Sequence, residues 1–231
     1  MLNNYEVLLL DIGDTLVHIT EPFEVYTKQA LRSIQPFFGL QAEDNQFVND
    51  CLKVRNEMRA HAHETLIEPS IYNFFLELES HFGKELDNYL EVEQAYVQAE
   101  LDITKVFPEA LAFLLEAKEN GFKIIAATNN FSPLHVQLVL NKFNLLDHFD
   151  ELFISGEEGI RKPHSKFLEK LCTQYELNKN DCIMIGDKPQ MDIEVAHTFQ
   201  MDSVWINRKD QEIDSKYSPT FTVTSLDQLF N

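Results

Sequence analysis

The sequence predicts an α/β protein, a doubly wound parallel sheet interrupted after its first strand by an all-helical insertion. Three observations predict it. From residue 104 onward, short apolar runs alternate with amphipathic segments of helical length, and such alternation calls for a parallel sheet with helices on both faces. One further apolar run, Val7 to Leu10, stands far upstream of these. Between them, from about residue 21 to 103, the periodicity is helical only.

Taken in order, Val7 to Leu10 reads as a buried strand. It is far too short for a signal peptide or a membrane span, and Met1-Leu2-Asn3-Asn4 lacks a basic start, so no targeting segment is expected. Pro22 opens a helix that Pro36 closes. Phe47, Cys51, Val54 and Met58 form one apolar stripe; Pro69-Ser70 precedes Ile71, Phe74, Phe75 and Leu78, with Gly83 as a stop; a fourth helix covers Tyr89 to Leu101. The alternation then runs helix Pro108 to Asn120 with Gly121 as its cap, strand Phe122 to Thr128, and a helix opened by Ser132-Pro133. Strand Glu151 to Ser155, helix His164 to Tyr175, strand Cys182 to Gly186, helix Gln190 to Phe199 and strand Ser203 to Ile206 follow. A short strand at Phe221 to Val223 leads into a turn of helix capped by Ser225. The chain therefore divides into a core of residues 1–16 and 104–231 and a helical unit of residues 17–103.

Composition narrows the function. With 231 residues, 44% apolar and 25% charged, the chain is long enough for a sizeable core and is globular in composition. Its net charge of −19 repels phosphate backbones and anionic headgroups, which argues against nucleic acid and membrane surfaces as partners. An anionic substrate would need positive charge gathered at one point, from a metal ion or a few Lys and Arg. The cysteines Cys51, Cys172 and Cys182 are odd in number and lack metal-ligand spacing, as expected of reduced, buried thiols in a cytoplasmic protein.

In an open parallel sheet the ligand sits beyond the carboxyl ends of the strands. The first strand ends in Asp11-Ile12-Gly13-Asp14-Thr15-Leu16 and the second in Thr128-Asn129-Asn130. A later loop carries Gly159-Ile160-Arg161-Lys162-Pro163, and another strand ends in Gly186-Asp187 with Asp192 five residues on. Singly, these read as a turn, a cap and a loop. In this order and spacing they resemble the four motifs of the haloacid dehalogenase superfamily, with a Rossmann-like core and residues 17–103 as the helical cap between the first and second motifs.

The resemblance implies a phosphatase that uses Mg²⁺. Asp11 would be the nucleophile and a metal ligand together with Asp187 and the Gly13 carbonyl, and Asp192 would orient the metal site from behind. Thr128 and the amide of Asn129 would hold the phosphoryl group and Lys162 would neutralise its charge. Thr15 either orders the turn after Asp11 or satisfies a backbone group. The substrate would be a small phosphorylated metabolite; the sequence leaves the oligomeric state open.

One position departs from the family. Its phosphatases carry a second Asp two residues after the nucleophile, which protonates the leaving group and then activates water. Here that position is Gly13, and Asp14 should leave the backbone in another direction. His18 is a candidate proton donor, or a surface histidine. A protein that binds Mg²⁺ and phosphate but turns over slowly, serving in regulation or interaction, is the alternative reading. Dehalogenation fits less well, because dehalogenases of the superfamily lack the Gly-Asp pair found here at Gly186-Asp187. Phosphonate cleavage would need a cap lysine, and neither Lys53 nor Lys84 is marked for it.

Residues 17–103 hold 6 Lys plus Arg against 16 Asp plus Glu. Against that background Arg55, Arg59 and His63 recur at four-residue steps on one helix side. They would bind an anionic part of the substrate, or else pair with Glu57, Glu64 or core acids on a solvated face.

Overall fold

The computed structural model describes residues 1–40, 45–212, 214 and 216–230. Residues 41–44 of the expected cap and 213, 215 and 231 of the expected core lie outside the described residues.

Strand β1 (Val7–Leu10) is buried along its length because it pairs on both sides, parallel to β4 (Lys123–Thr128) and to β6 (Cys182–Gly186). A central parallel strand shows neither face to water, so its sequence is an unbroken apolar run and not an alternating one. Its side chains still divide by parity. Leu8 and Leu10 join one apolar cluster with Phe113 and Leu114 of α5 (Ala110–Glu119) and Val136 and Val139 of α6 (Pro133–Lys142). Val7 and Leu9 join the other with Phe167 and Leu171 of α8 (Lys166–Gln174), which the one-turn α7 (Ser155–Glu158) precedes, and Val195 and Ala196 of α9 (Glu194–Phe199). With β5 (Glu151–Ile154), β7 (Asp202–Ile206) and β8 (Phe221–Val223) the parallel sheet runs β5-β4-β1-β6-β7-β8. The order steps outward in both directions from β1, which puts the ligand crevice at the end of β1.

The four expected helices are present as α1 (Phe23–Ile34), α2 (Asn45–Thr65), α3 (Ile71–Phe82) and α4 (Tyr89–Ile103). They build their own apolar cluster, with Leu31, Phe47, Phe74, Phe75 and Tyr96 at its centre and Phe131 reaching in from the loop after β4. Local chemistry sets the ends of α3: Ser70 and Asn73 form a reciprocal capping box, and Gly83 closes the helix at φ 64. Among the described residues no helix is long and apolar enough to cross a membrane. All three cysteines are buried and free.

Three features differ from the sequence reading. An antiparallel ribbon of β2 (Val17–Ile19) and β3 (Thr104–Val106) carries the chain into and out of the helical unit. Each strand has three residues, too few for alternation to show. Helices α5 and α8 start about two residues later than their first turn residues suggest. His164 instead closes a turn onto the Arg161 carbonyl, and its Nδ1 accepts the Lys166 N–H at 3.0 Å. The expected helix Gln190 to Phe199 opens as a π-helical turn, Pro189–Ile193, before α9 begins. There the Asp192 carboxylate accepts the Lys188 N–H at 3.0 Å, a local bond that competes with the α-helical pattern.

Candidate active site

Asp11 follows β1 directly, and its N–H is bonded to the Ile185 carbonyl of β6 at 2.9 Å, so strand pairing fixes its backbone. Its Oδ1 accepts from Lys162 Nζ at 2.8 Å and from the hydroxyl of Thr128, the last residue of β4, at 3.1 Å. The buried Thr15 hydroxyl stands 3.5 Å from Oδ2, the outer limit of a hydrogen bond, which leaves Oδ2 the freer oxygen.

Lys162 is 1% exposed, a place an ammonium holds only when it is paired. It bridges Asp11 Oδ1 and Asp192 Oδ1, the latter at 2.5 Å. Burial acts to lower its pKa, but the two carboxylates outweigh burial and hold it above the usual lysine range. Asn129 fixes the lysine by its own peptide groups. The Lys162 N–H donates to Asn129 Oδ1 at 2.8 Å, and Asn129 Nδ2 donates to the Lys162 carbonyl at 2.9 Å.

Asp192 is 1% exposed and fully engaged, with Oδ1 on Lys162 and Oδ2 on the Lys188 N–H. Its carboxylate packs so closely on Gly186 that a Cβ there would collide with it, which explains glycine at the end of β6. Asp187 is the opposite case: its Oδ1 is buried without a hydrogen-bond partner among the described residues. Burial, joined by the charges of Asp11, Asp192 and Asp14 and opposed by Lys188, pushes Asp187 up to about 8. Asp11, Asp187 and Asp192 each present an oxygen within 4.8 Å of the others. An oxygen-only set of crowded carboxylates with one orphaned acceptor fits a hard divalent cation such as Mg²⁺.

Asp11, Thr128, Asn129, Lys162 and Asp192 line a cavity of about 440 Å³, and so do Gly13, Asp14 and His18. Asp14 adopts φ 59 and its carboxylate is bonded to Lys188 Nζ at 3.1 Å. The His18 ring packs on Phe107, with centroids 4.8 Å apart. Arg59 and His63 line the cavity from α2. Arg55 does not join them: it leans over the Phe131 ring, 3.9 Å from its centroid. Neither arginine pairs with Glu57 or Glu64; Arg59 lies 4.3 Å over Phe23. Sequence reasoning did not name Lys188, and it quoted Arg161 within the loop Gly159-Ile160-Arg161-Lys162-Pro163 without giving it a role; both line the cavity and directly adjoin the motif residues Asp187 and Lys162. That adjacency was the available signal.

Comparison with known proteins places this geometry. A family model for haloacid dehalogenase-like hydrolases matches residues 5–199. The phosphoserine phosphatase of Thermus thermophilus is 31% identical over 54% of this chain, and the match spans 50% of that protein's length. The pyrimidine 5'-nucleotidase PynA of Streptococcus pneumoniae is 26% identical over 98% of this chain and 94% of its own. The fold matches that of YfnB from Bacillus subtilis, described as a HAD-hydrolase bound to magnesium, with a TM-score of 0.64, 20% identity, and 99% and 98% of the two chains covered. The motif-bearing strand ends and the family match over most of the sequence agree: the chain belongs to the haloacid dehalogenase-like hydrolase family.

Proposed function

We propose that the protein is a Mg²⁺-dependent phosphomonoester hydrolase, acting in the cytoplasm on a small phosphorylated metabolite through an aspartyl phosphate at Asp11, with residues 17–103 as a cap over the core of residues 1–16 and 104–231. The observation that carries this reading is the surroundings of Asp11. One carboxylate oxygen meets two donors, Lys162 and Thr128, while Asp187, whose Oδ1 has no hydrogen-bond partner among the described residues, presents an oxygen within 4.8 Å. The phosphatase and nucleotidase names of the relatives support it. Bound by Asp11, Asp187 and the Gly13 carbonyl, Mg²⁺ would supply the positive charge that lets a carboxylate approach a phosphoryl group. Asp192, with both oxygens engaged, holds Lys162 charged and aimed.

Asp11 attacks phosphorus from a carboxylate oxygen; the acyl phosphate forms as the ester P–O bond breaks and the departing oxygen takes a proton. Lys162, the Thr128 hydroxyl and the Asn129 N–H stabilise the charge on the non-bridging oxygens. Water then attacks the same phosphorus, releasing inorganic phosphate and freeing the Asp11 carboxylate.

One observation favours a second reading. Position 13 has no side chain and the Asp14 carboxylate is bonded to Lys188, so neither of these two positions after the nucleophile offers a free carboxyl to give the leaving group its proton. A Mg²⁺- and phosphate-binding protein with slow turnover would have such a site. A Mg²⁺-dependent screen of alkyl, aryl and acyl phosphates separates the two. Turnover abolished by EDTA and by Asp11→Asn is expected; EDTA-resistant turnover or an active Asp11→Asn protein overturns the mechanism. Mg²⁺ binding without turnover selects the second reading.

A further inference from the structure

The cap side of the cavity carries positive charge that the reaction at Asp11 does not use. Arg161 is 8% exposed, yet its Nε has no hydrogen-bond partner among the described residues. Its ion pair is with Glu68, 3.4 Å from one terminal nitrogen, and Glu68 is itself buried and shared with the Ser155 hydroxyl at 3.1 Å. Arg59 and His63, one helical turn apart on α2, line the same cavity as Arg161. Arg59 makes no ion pair among the described residues, and its contact with Phe23 uses the face of the guanidinium, not its N–H edge. The three groups also repel one another. After burial, Arg59 and Arg55 press the Arg161 pKa down, and Arg161 and Arg59 press His63 below its ordinary value. In a chain of net charge −19, this is a concentration of cations that the protein's own carboxylates leave partly unmatched.

From this geometry we infer that Arg59, Arg161 and His63 form a second anion subsite in the cavity that holds Asp11, and that the substrate is a small phosphomonoester carrying a carboxylate. The inference rests on the phosphatase reading of Asp11 and adds the far end of the substrate. The charge count selects the carboxylate. Two arginines against Glu68, with His63 neutral and the exposed Glu21 the remaining carboxylate on this side of the cavity, leave at most one unit of positive charge, which suits a monoanion better than a second phosphate. A guanidinium edge also matches a carboxylate in a two-point bond. A cavity of about 440 Å³ lies toward the small end of ligand sites and suits a metabolite of a few carbons.

Phosphonates test the subsite without requiring turnover, because their P–C bond is not an ester. Binding of 3-phosphonopropionate and of propylphosphonate, equal in chain length, is measured by calorimetry on the full chain with Mg²⁺. The carboxylate ligand is expected to bind at least about tenfold tighter, the size of one charge-assisted hydrogen bond. Arg59→Ala should bring the ratio toward one and Arg59→Lys should recover part of it. Arg32→Ala, on the exposed side of α1 and outside the cavity, should leave the ratio unchanged. Equal affinities in the unaltered protein, no binding of either ligand, or a ratio that survives Arg59→Ala overturns the subsite. Tighter binding of propane-1,3-diphosphonate than of the carboxylate ligand overturns the choice of a carboxylate. Failure of the hydrolase reading shows elsewhere, as absence of Mg²⁺-dependent turnover.

Discussion

Gly13→Asp restores the carboxyl that the family's phosphatases place beside their nucleophile, and the structure removes the main objection to it. The backbone at Gly13 lies outside the left-handed region, and a Cβ built there meets no atom within 4 Å. The side chain therefore enters without strain. Losing the freedom of glycine in the unfolded chain should stabilise by about 0.4 to 1 kcal/mol, or roughly 1 to 4 °C in Tm for a chain of this size. The new carboxyl joins Asp11, Asp187 and Asp192, and that crowding favours its protonated form, the form needed to protonate a leaving oxygen. General acid catalysis is worth about 10² to 10⁴ in rate, or roughly 3 to 5 kcal/mol of barrier. That gain is expected in kcat/KM on alkyl phosphates, whose alkoxide departs poorly, whereas aryl and acyl phosphates should gain less than about tenfold. The assay compares the three ester classes, with Tm and Mg²⁺ affinity measured on the same preparations. A stable, Mg²⁺-binding variant with no preferential gain on alkyl phosphates refutes the reasoning; His18 or another group would then already deliver the proton.

Lys162→Met leaves the buried Asp192 carboxylate without its cation, so it should cost about 3 to 5 kcal/mol of stability and, separately, about 10² to 10³ in kcat. Adding Asp192→Asn should return part of the Tm but none of the rate; a folded Lys162→Met protein with unchanged kcat/KM would reduce Lys162 to a loop residue. The pKa of Asp187 is raised from 3.8 to about 8, so the folded protein holds a proton that the unfolded chain releases between those values. Its contribution to stability without divalent ions therefore declines from about pH 4 to pH 8. The Tm gained on adding Mg²⁺ should then be larger at pH 8 than at pH 5, and thermal melts showing an equal or reversed gain would contradict the assignment.

The parallel core and the order of the site loops follow from local sequence alone. Strands such as Val7–Leu10 are buried on both faces, so their burial is written in composition, and Ser70, Gly83 and Ser132 punctuate helices through bonds to near neighbours. Asp11, Thr128, Lys162 and Asp187 were legible for the same reason: each stands at or just past a strand end or in a Gly-Pro loop, and strand ends in this fold converge. The tertiary structure alone decided how those residues meet. Lys162 bridges Asp11 and Asp192 across 151 and 30 residues of chain, and Asn129 grips the lysine's peptide across 33. Arg55 and Arg59 are one turn apart and alike in sequence. The ring of Phe131, from another element, holds the first, while the second lines the cavity over Phe23. Arg161 and Glu68 become partners only when the segment between α2 and α3 packs on the loop before α8. Such pairings depend on which surfaces pack together over long separations, and no local periodicity carries that information.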